Sequence, residues 1–549
     1  MKVTTELHGN PASPGTASGT VARMRPVPEL PAQRPASAGA EKEFATAKAA
    51  LAKVADELER RGKVLSGEAA EILDTQVMMV RDPSLEQGIG KATDNGLPAA
   101  WAVQEAFAAH IEVLRGLGGY LAERVTDLAD LRDRAIAVAL GEEPPGIPDS
   151  DGPFVLVAVD LAPADTVTLD PSDVLAIVTE KGGATSHTAI LARSLGIPAV
   201  VGCVAAESLS DGQLVVVDGA AGKVVVDPES GLLDHIEREA EAQRQELARH
   251  RGPGSTKDGH PVKLLLNIGG AGGLEEAAAA DAEGIGLFRT EFLFLDRAEA
   301  PSLDEQRAAY GKVFAAFTGR PVVIRTLDAG ADKPVPFANN DVEPNPALGV
   351  RGYRVGRRNP GLLDVQLEAI SLAAREHDTD VRVMAPMIAT AAEARAFAAR
   401  VRHFGIAQAG VMIEIPAAAL RAEAILAEVD FVSIGTNDLA QYTFAADRLL
   451  GELNDLLDPW QPALLDLVSM VAEAGRKTAK PVGICGEAAG DPTLAPVFAG
   501  LGVTSLSMSA PAVPAVRAAL RRHTFDDCAS LAATALAAPD APTARSTVA

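Results

Sequence analysis

Asp430-Phe431-Val432-Ser433-Ile434-Gly435-Thr436-Asn437-Asp438-Leu439 decides how the second half of this chain is read. A short apolar run, 430–434, is followed at once by a glycine, then polar residues and a helical stretch. Such a strand delivers its C-terminal end into a loop. Seven further runs of this kind lie beyond residue 260, at 262–268, 284–289, 321–327, 380–386, 409–414, 481–485 and 503–508. Most are separated by helical stretches. Eight strands in roughly 250 residues predict a (β/α)8 TIM barrel. The longer gap between 328 and 379 leaves a doubly wound sheet as the alternative.

Barrels of this kind carry their reactive groups at the C-terminal ends of the strands. The residues there are Arg289-Thr290-Glu291-Phe292-Leu293, Arg325-Thr326-Leu327-Asp328 with Lys333 in the loop, and Arg351 closing Asn345–Arg351. Glu414-Ile415-Pro416 follows the run at 409–414. Asn437 and Asp438 follow 430–434, with Arg448 further on, and Cys485-Gly486-Glu487 ends 481–485. Guanidinium groups bind phosphate and carboxylate bidentately. Glu414 and Asp438 offer the hard oxygen donors that Mg²⁺ takes, together with substrate oxygens. The same acids would equally serve as ion-pair partners for the arginines. Cys485 reads either as an acid–base group or as a small buried hydrophobe.

Upstream, residues 153–228 hold short β-rich runs, Phe154–Val159, Val174–Thr179, Ala199–Val201, Leu214–Asp218 and Lys223–Val226, around one helix near 186–195. Gly182-Gly183-Ala184-Thr185-Ser186-His187-Thr188 joins strand to helix. Free N–H groups at a helix start suit an anion, and glycines let the backbone approach it. His187 there would stay neutral and nucleophilic. A capping histidine beside a Ser/Thr cap is the alternative.

Apolar residues recur at helical spacing from 41 to 141, as in Phe44, Ala47, Leu51, Val54 and Leu58, and predict a small bundle. Ser66 is a candidate cap for a helix ending before Pro83. A short strand is expected near Val21. Pro/Ala-rich 26–40 and Pro/Gly-rich 142–150 read as linkers, 231–255 as a connector helix with its end, and 536–549 as a disordered tail. The domains follow: 1–25 with 142–230, an inserted helical 26–141, the linker, and a barrel at 256–535.

With 50 basic against 74 acidic residues, the 549-residue chain carries a net charge of −24. That argues against nucleic acid or an anionic membrane as partner. Three widely spaced cysteines form neither a disulfide framework nor a zinc motif, so a reducing cytoplasm is expected. No signal peptide or 18-residue apolar span is evident.

The His187 segment and Arg193-Ser194-Leu195-Gly196-Ile197-Pro198-Ala199-Val200-Val201-Gly202 resemble the phosphohistidine signature of the phosphoenolpyruvate-utilising enzymes. Pro11-Ala12-Ser13-Pro14-Gly15, Gly286–Leu293, Ser433–Leu439 and Gln441-Tyr442-Thr443 are similar to Enzyme I of the bacterial sugar phosphotransferase system, in order from about residue 9 to 520. The resemblance implies that His187 takes the phosphoryl group of phosphoenolpyruvate, releases pyruvate, and passes the group to a histidine of the carrier HPr. Arg289, Arg325, Arg448 and Asn437 would bind phosphoenolpyruvate, with Arg351 and Lys333 in the same pocket. Glu414 and Asp438 would hold Mg²⁺, and Cys485 would protonate the enolate. Residues 41–141 would dock HPr, and the barrel would form a homodimer. Hinges would fall at 26–40, 142–150 and 229–255.

Three segments depart from the family pattern. Ala184 stands where Arg is usual, Ile413-Glu414-Ile415-Pro416 where Val-Glu-Thr-Pro is usual, and Ala385 where Phe is usual. A phosphoenolpyruvate synthase or pyruvate phosphate dikinase would need a large nucleotide-binding domain before His187, where only mostly helical sequence stands. A degenerate, non-catalytic regulatory relative would be expected to have lost one of His187, Arg289, Glu414, Asp438 or Cys485.

Overall fold

The computed structural model describes the chain except for residues 1–4, 14, 26, 29, 32, 63–75, 118–119, 148–151, 162–168, 170–172, 184–185, 187, 190–191, 193–194, 230, 232, 234–237, 239–249, 271–272, 296, 298, 331–334, 336, 339–342, 344, 448–452, 454 and 549. It forms two compact units, Met1–Ala240 and Glu241–Ala549.

The first unit is built on one eight-stranded sheet: β1 Thr5–His8, β2 Asn10–Ser13, β3 Thr16–Arg23, β4 Phe154–Ala158, β5 Val174–Thr179, β6 Ala199–Val201, β7 Leu214–Asp218 and β8 Lys223–Val226. Their order is β1-β8-β7-β3-β4-β5-β6-β2. β4 and β5 are continuous apolar runs because both faces are covered. Val155, Val157 and Val178 pack on one side, and Phe154, Leu156 and Ile177 on the other. The strand expected near Val21 is β3. It pairs in parallel with β4 and antiparallel with β7. One sheet thus draws strands from both sides of the helical block, which enters between β3 and β4. A bridge between Arg25 and Gly146 closes the stem of that insertion.

The block contains helices Ala40–Gly62, Pro83–Asp94, Ala99–Leu117 and Tyr120–Leu140. Leu51, Val54, Leu58, Val103, Phe107 and Leu131 form its core at the predicted spacing. Asp82 caps the helix that Pro83 opens, its carboxylate accepting from Ser84 N at 2.7 Å. Glu43 accepts from Ala38 N at 2.7 Å and Ala99 N at 2.8 Å, tying the starts of two helices together. The Ser66 cap lies outside the described residues.

In the second unit all eight predicted runs are strands of a closed parallel barrel: β9 Lys263–Ile268, β10 Ile285–Phe288, β11 Pro321–Arg325, β12 Asp380–Ala385, β13 Gln408–Ile413, β14 Phe431–Ile434, β15 Val482–Ile484 and β16 Ser505–Met508. Outward residues such as Val322, Ile324, Val383 and Val411 meet the surrounding helices. Leu287, Val323, Met384, Met412, Phe431 and Cys485 fill the inside. The long gap at 328–379 holds irregular chain with short 3-10 segments and the helix Pro360–Glu376, so closure stands and the doubly wound alternative falls.

The tail expected to be disordered is not. Helix Phe525–Ala537 runs into it, and Ala541–Val548 forms another helix with Ala541 and Ala544 buried. Asp540 accepts from Thr543 N at 2.8 Å, and Arg545 pairs with Asp458 at 2.9 Å. The alanine-rich composition reflects close helix packing, not a lack of core. In the segment read as a connector helix, Gly231, Leu233 and Arg238 are helical, 250–255 are not, and 239–249 lie outside the described residues. Among the described residues no helix is long and apolar enough to cross a membrane.

Candidate active site

The parallel barrel aims every strand's C-terminal end at one mouth, and the sequence-predicted groups gather there. Arg289 follows β10, Arg325 ends β11, Glu414 follows β13, Asn437 and Asp438 follow β14, and Cys485 follows β15. Arg351 comes from the long loop after β11 and is buried, as are Arg325, Glu414, Asp438 and Cys485. Lys333 and Arg448 lie outside the described residues.

Arg325 pairs with Glu291 at 2.9 Å and Asp328 at 3.2 Å. Arg351 takes Asp438 bidentately, at 2.9 and 3.2 Å, and reaches Asp328 at 3.4 Å and the Tyr442 hydroxyl at 3.4 Å. Asp328 N donates to Glu291 at 3.1 Å. These groups form one buried network in which ion pairs offset the cost of burying charge. Burial alone would lower both guanidinium pKa values, yet the surrounding carboxylates hold Arg325 and Arg351 above the usual arginine range.

Glu414 makes no ion pair of its own among the described residues. Its carboxylate accepts Met387 N at 2.8 Å. Burial, then the charges of Asp438 and Asp328, push its pKa well above the usual carboxylate range. Met387 reaches it from a left-handed backbone, φ 58°, a strained conformation for a non-glycine residue. Gly435 leaves room beside it: a Cβ there would lie 2.8 Å from Glu414 Cγ. This surplus of hard oxygen donors fits a divalent cation. No group of three or more ligating side chains occurs among the described residues, so substrate or water oxygens would complete its shell.

Arg289 is the contrasting cation. It is half-buried and makes no ion pair among the described residues. Burial and the neighbouring Arg325 charge lower its pKa. An anion entering the mouth would meet this uncompensated guanidinium. The Oδ1 of Asn437 accepts from Glu487 N at 3.2 Å.

Cys485 lies buried among the inward barrel residues. Its amide donates to Ile434 O at 3.0 Å, and its Sγ lies 3.6 Å from the same oxygen. Burial raises its pKa to about 11, with a hydrogen bond from Ser433 acting the other way. The group is therefore a thiol at neutral pH, able to give up a proton to a stronger base.

In the first unit His187 lies outside the described residues, as does Ala184. Around them Gly182 has φ 98°, Ser186 N donates to Gly183 O at 2.9 Å, and Ser186 Oγ accepts from Ala189 N at 3.4 Å. Ser186 thus caps the helix containing Thr188 and Ala189.

The chain matches three family models in succession: "PEP-utilising enzyme, N-terminal" over residues 8–124, "PEP-utilising enzyme, mobile domain" over 151–222 and "PEP-utilising enzyme, PEP-binding domain" over 243–525. It is 51% identical over 98% of both chains to a phosphoenolpyruvate-protein phosphotransferase of Streptomyces coelicolor. The chain belongs to the phosphoenolpyruvate-protein phosphotransferase family, Enzyme I. A Haloferax volcanii phosphotransferase is 41% identical over 96% of each chain. A solution structure of Enzyme I, 32% identical, covers 43% of this chain and 99% of its own, with a TM-score of 0.37. As a phosphotransferase of this family the chain is an enzyme that moves phosphoryl from phosphoenolpyruvate to protein. Enzymes of the family use a divalent metal.

Several residues of the barrel mouth were not singled out from the sequence as candidates. Glu291 and Asp328 stood inside quoted motifs, two and three residues beyond an arginine, and that spacing was the available signal. Met387 carried no signal, because its strained amide follows from tertiary packing. Asn267, half-buried at the end of β9, reads in sequence as an ordinary strand-end polar residue.

Proposed function

We propose that the barrel mouth binds phosphoenolpyruvate and that His187 is the phosphoryl carrier, passing the group to a histidine of HPr in the cytoplasm. The observation that carries the reading is Arg289, a half-buried guanidinium with no carboxylate partner among the described residues, beside the buried Arg325 and Cys485. Arg289 and Arg325 hold the phosphate and carboxylate, with Arg448, Asn437, Arg351 and Lys333 completing the pocket. Glu414 and Asp438 hold Mg²⁺, which when bound neutralises charge on the phosphoryl oxygens. As the P–O bond breaks, the enolate's C3 takes the Cys485 proton, and the thiolate recovers it from solvent. Residues 26–141 dock HPr, and the barrel unit dimerises.

Incubation with phosphoenolpyruvate and Mg²⁺ should add one acid-labile phosphate, mapped by mass spectrometry to His187. His187→Ala should abolish HPr-dependent pyruvate release. Turnover at the parent rate would reject His187 as the nucleophile.

A further inference from the structure

Asn267 closes the barrel behind the thiol. Its Nδ2 donates to Cys485 O at 3.1 Å and to Ser507 O at 3.1 Å. Its Oδ1 accepts from Ser507 Oγ at 2.6 Å, and that hydroxyl also lies 3.1 Å from Leu266 O. Both amide hydrogens and the amide oxygen are thus used, so only one orientation of the side chain satisfies the site. Gly286 leaves the space that Ser507 needs: a Cβ there would lie 2.5 Å from its Oγ.

The effect is a brace across three strands. β9 and β16 pair directly, whereas β15 meets β16 in register only at Gly483 and Ile484. Beyond Ile484 the ladder to β16 has ended, and Asn267 supplies the hydrogen bond to the Cys485 carbonyl from β9. On its other side the Cys485 amide is held by Ile434 O. The peptide groups flanking the thiol are therefore fixed from β14 on one side and from β9 on the other, which limits where Sγ can point.

We infer that Asn267, locked by Ser507, is a positioning residue that aims the Cys485 thiol at one face of the enolate. This rests on the reading of Cys485 as the proton donor. In that step the S–H bond breaks, its proton forms a C–H bond at C3 with the enolate electron pair, and sulfur keeps the S–H pair as thiolate. A misdirected thiol leaves phosphoenolpyruvate binding intact, since the Asn267 side chain bonds Cys485 and Ser507 and neither Arg289 nor Arg325 among the described residues. It slows protonation and lets bulk water compete from either face. A displacement of about 1 Å in a reacting group costs about 10²-fold.

The test uses the full chain with HPr, Mg²⁺ and phosphoenolpyruvate carrying deuterium at one C3 position, in tritiated water, with the chirality of the pyruvate methyl group determined. Asn267→Ala should lower kcat for pyruvate formation about 10²-fold with KM for phosphoenolpyruvate within about threefold, and should scramble the methyl. Ser507→Ala, which removes only a hydroxyl, should shift both readouts in the same direction by less, and serves if Asn267→Ala does not fold. Stereospecific protonation at normal kcat in both variants, with scrambling in Cys485→Ala, would overturn the inference and leave the Cys485 reading standing. A loss confined to KM would also overturn it. Stereospecific pyruvate from Cys485→Ala would instead overturn the reading of Cys485 itself.

Discussion

Replacing Arg351 by Met removes the bidentate partner of Asp438 and a partner of Asp328 while keeping much of the side-chain volume. Both carboxylates are nearly inaccessible, at 6% and 3% exposure, and both already raise the pKa of Glu414. Breaking a buried pair from one side costs about 3–5 kcal/mol, chiefly from the charge left behind. The barrel unit has roughly 300 residues, and at about 2.1 cal/mol/K of unfolding entropy per residue that cost lowers Tm by roughly 5–8 °C. Arg357→Met is the control. Its pair with Glu393 leaves the arginine side chain 68% exposed, and such a pair contributes about 0–1 kcal/mol. Calorimetry of both variants, with and without Mg²⁺, should show a large drop only for Arg351→Met. The Mg²⁺-induced gain in that variant should exceed the parent's, because a cation offsets the added carboxylate surplus. A drop under about 2 °C, or a gain from Mg²⁺ no larger than the parent's, would refute the claim that these acids are electrostatically coupled.

Gly435→Ala places a methyl 2.8 Å from Glu414 Cγ and should reduce kcat with little change in Tm, measured by coupled pyruvate assay and thermal melt. The Cys485 thiol, raised to about 11, should alkylate slowly. Its thiolate fraction at pH 8 is about 200-fold below that of an ordinary thiol of pKa about 8.5, and iodoacetamide kinetics with peptide mapping should show at least that deficit. Because its folded pKa lies above the unfolded value, its stability contribution is present below about pH 8.5 and is lost as pH rises through about 11. Asp540→Ala removes the cap of the last helix and should weaken it by about 0.5–2 kcal/mol, seen as faster amide exchange at 541–548 with unchanged exchange in the barrel strands.

The barrel was legible because each strand is a brief apolar run with its own stop, and 430–434 ending at Gly435 is typical. Which side chains gather at the mouth was legible where a polar residue ended or followed such a run, as at Arg289, Glu414 and Cys485. Arg351 was harder, since nothing in a long loop states which way it folds back. The network that joins it to Asp328 and Asp438 exists only in three dimensions. The last helix was misread because Ala, Pro, Ser and Thr composition outweighed a local signal, Asp540-Ala541-Pro542-Thr543, which combines a cap with an early proline. β1 and β2 were missed because four residues are too few to show a clear alternation, and β2 also contains a proline.

The helical insertion between β3 and β4 also sets an order of events during synthesis. β3 leaves the ribosome about 130 residues before its first partner, β4, a delay of roughly 7–26 seconds at ordinary elongation rates, and β1 and β2 wait longer still. In that interval the insertion, whose contacts are local, can fold by itself. Doing so brings Arg25 and Gly146 together and removes a loop whose closure would cost on the order of 4 kcal/mol. Mutations that weaken the bundle should therefore leave early strands waiting longer with open edges. Their damage should appear as aggregation of nascent chains even when the finished protein is stable.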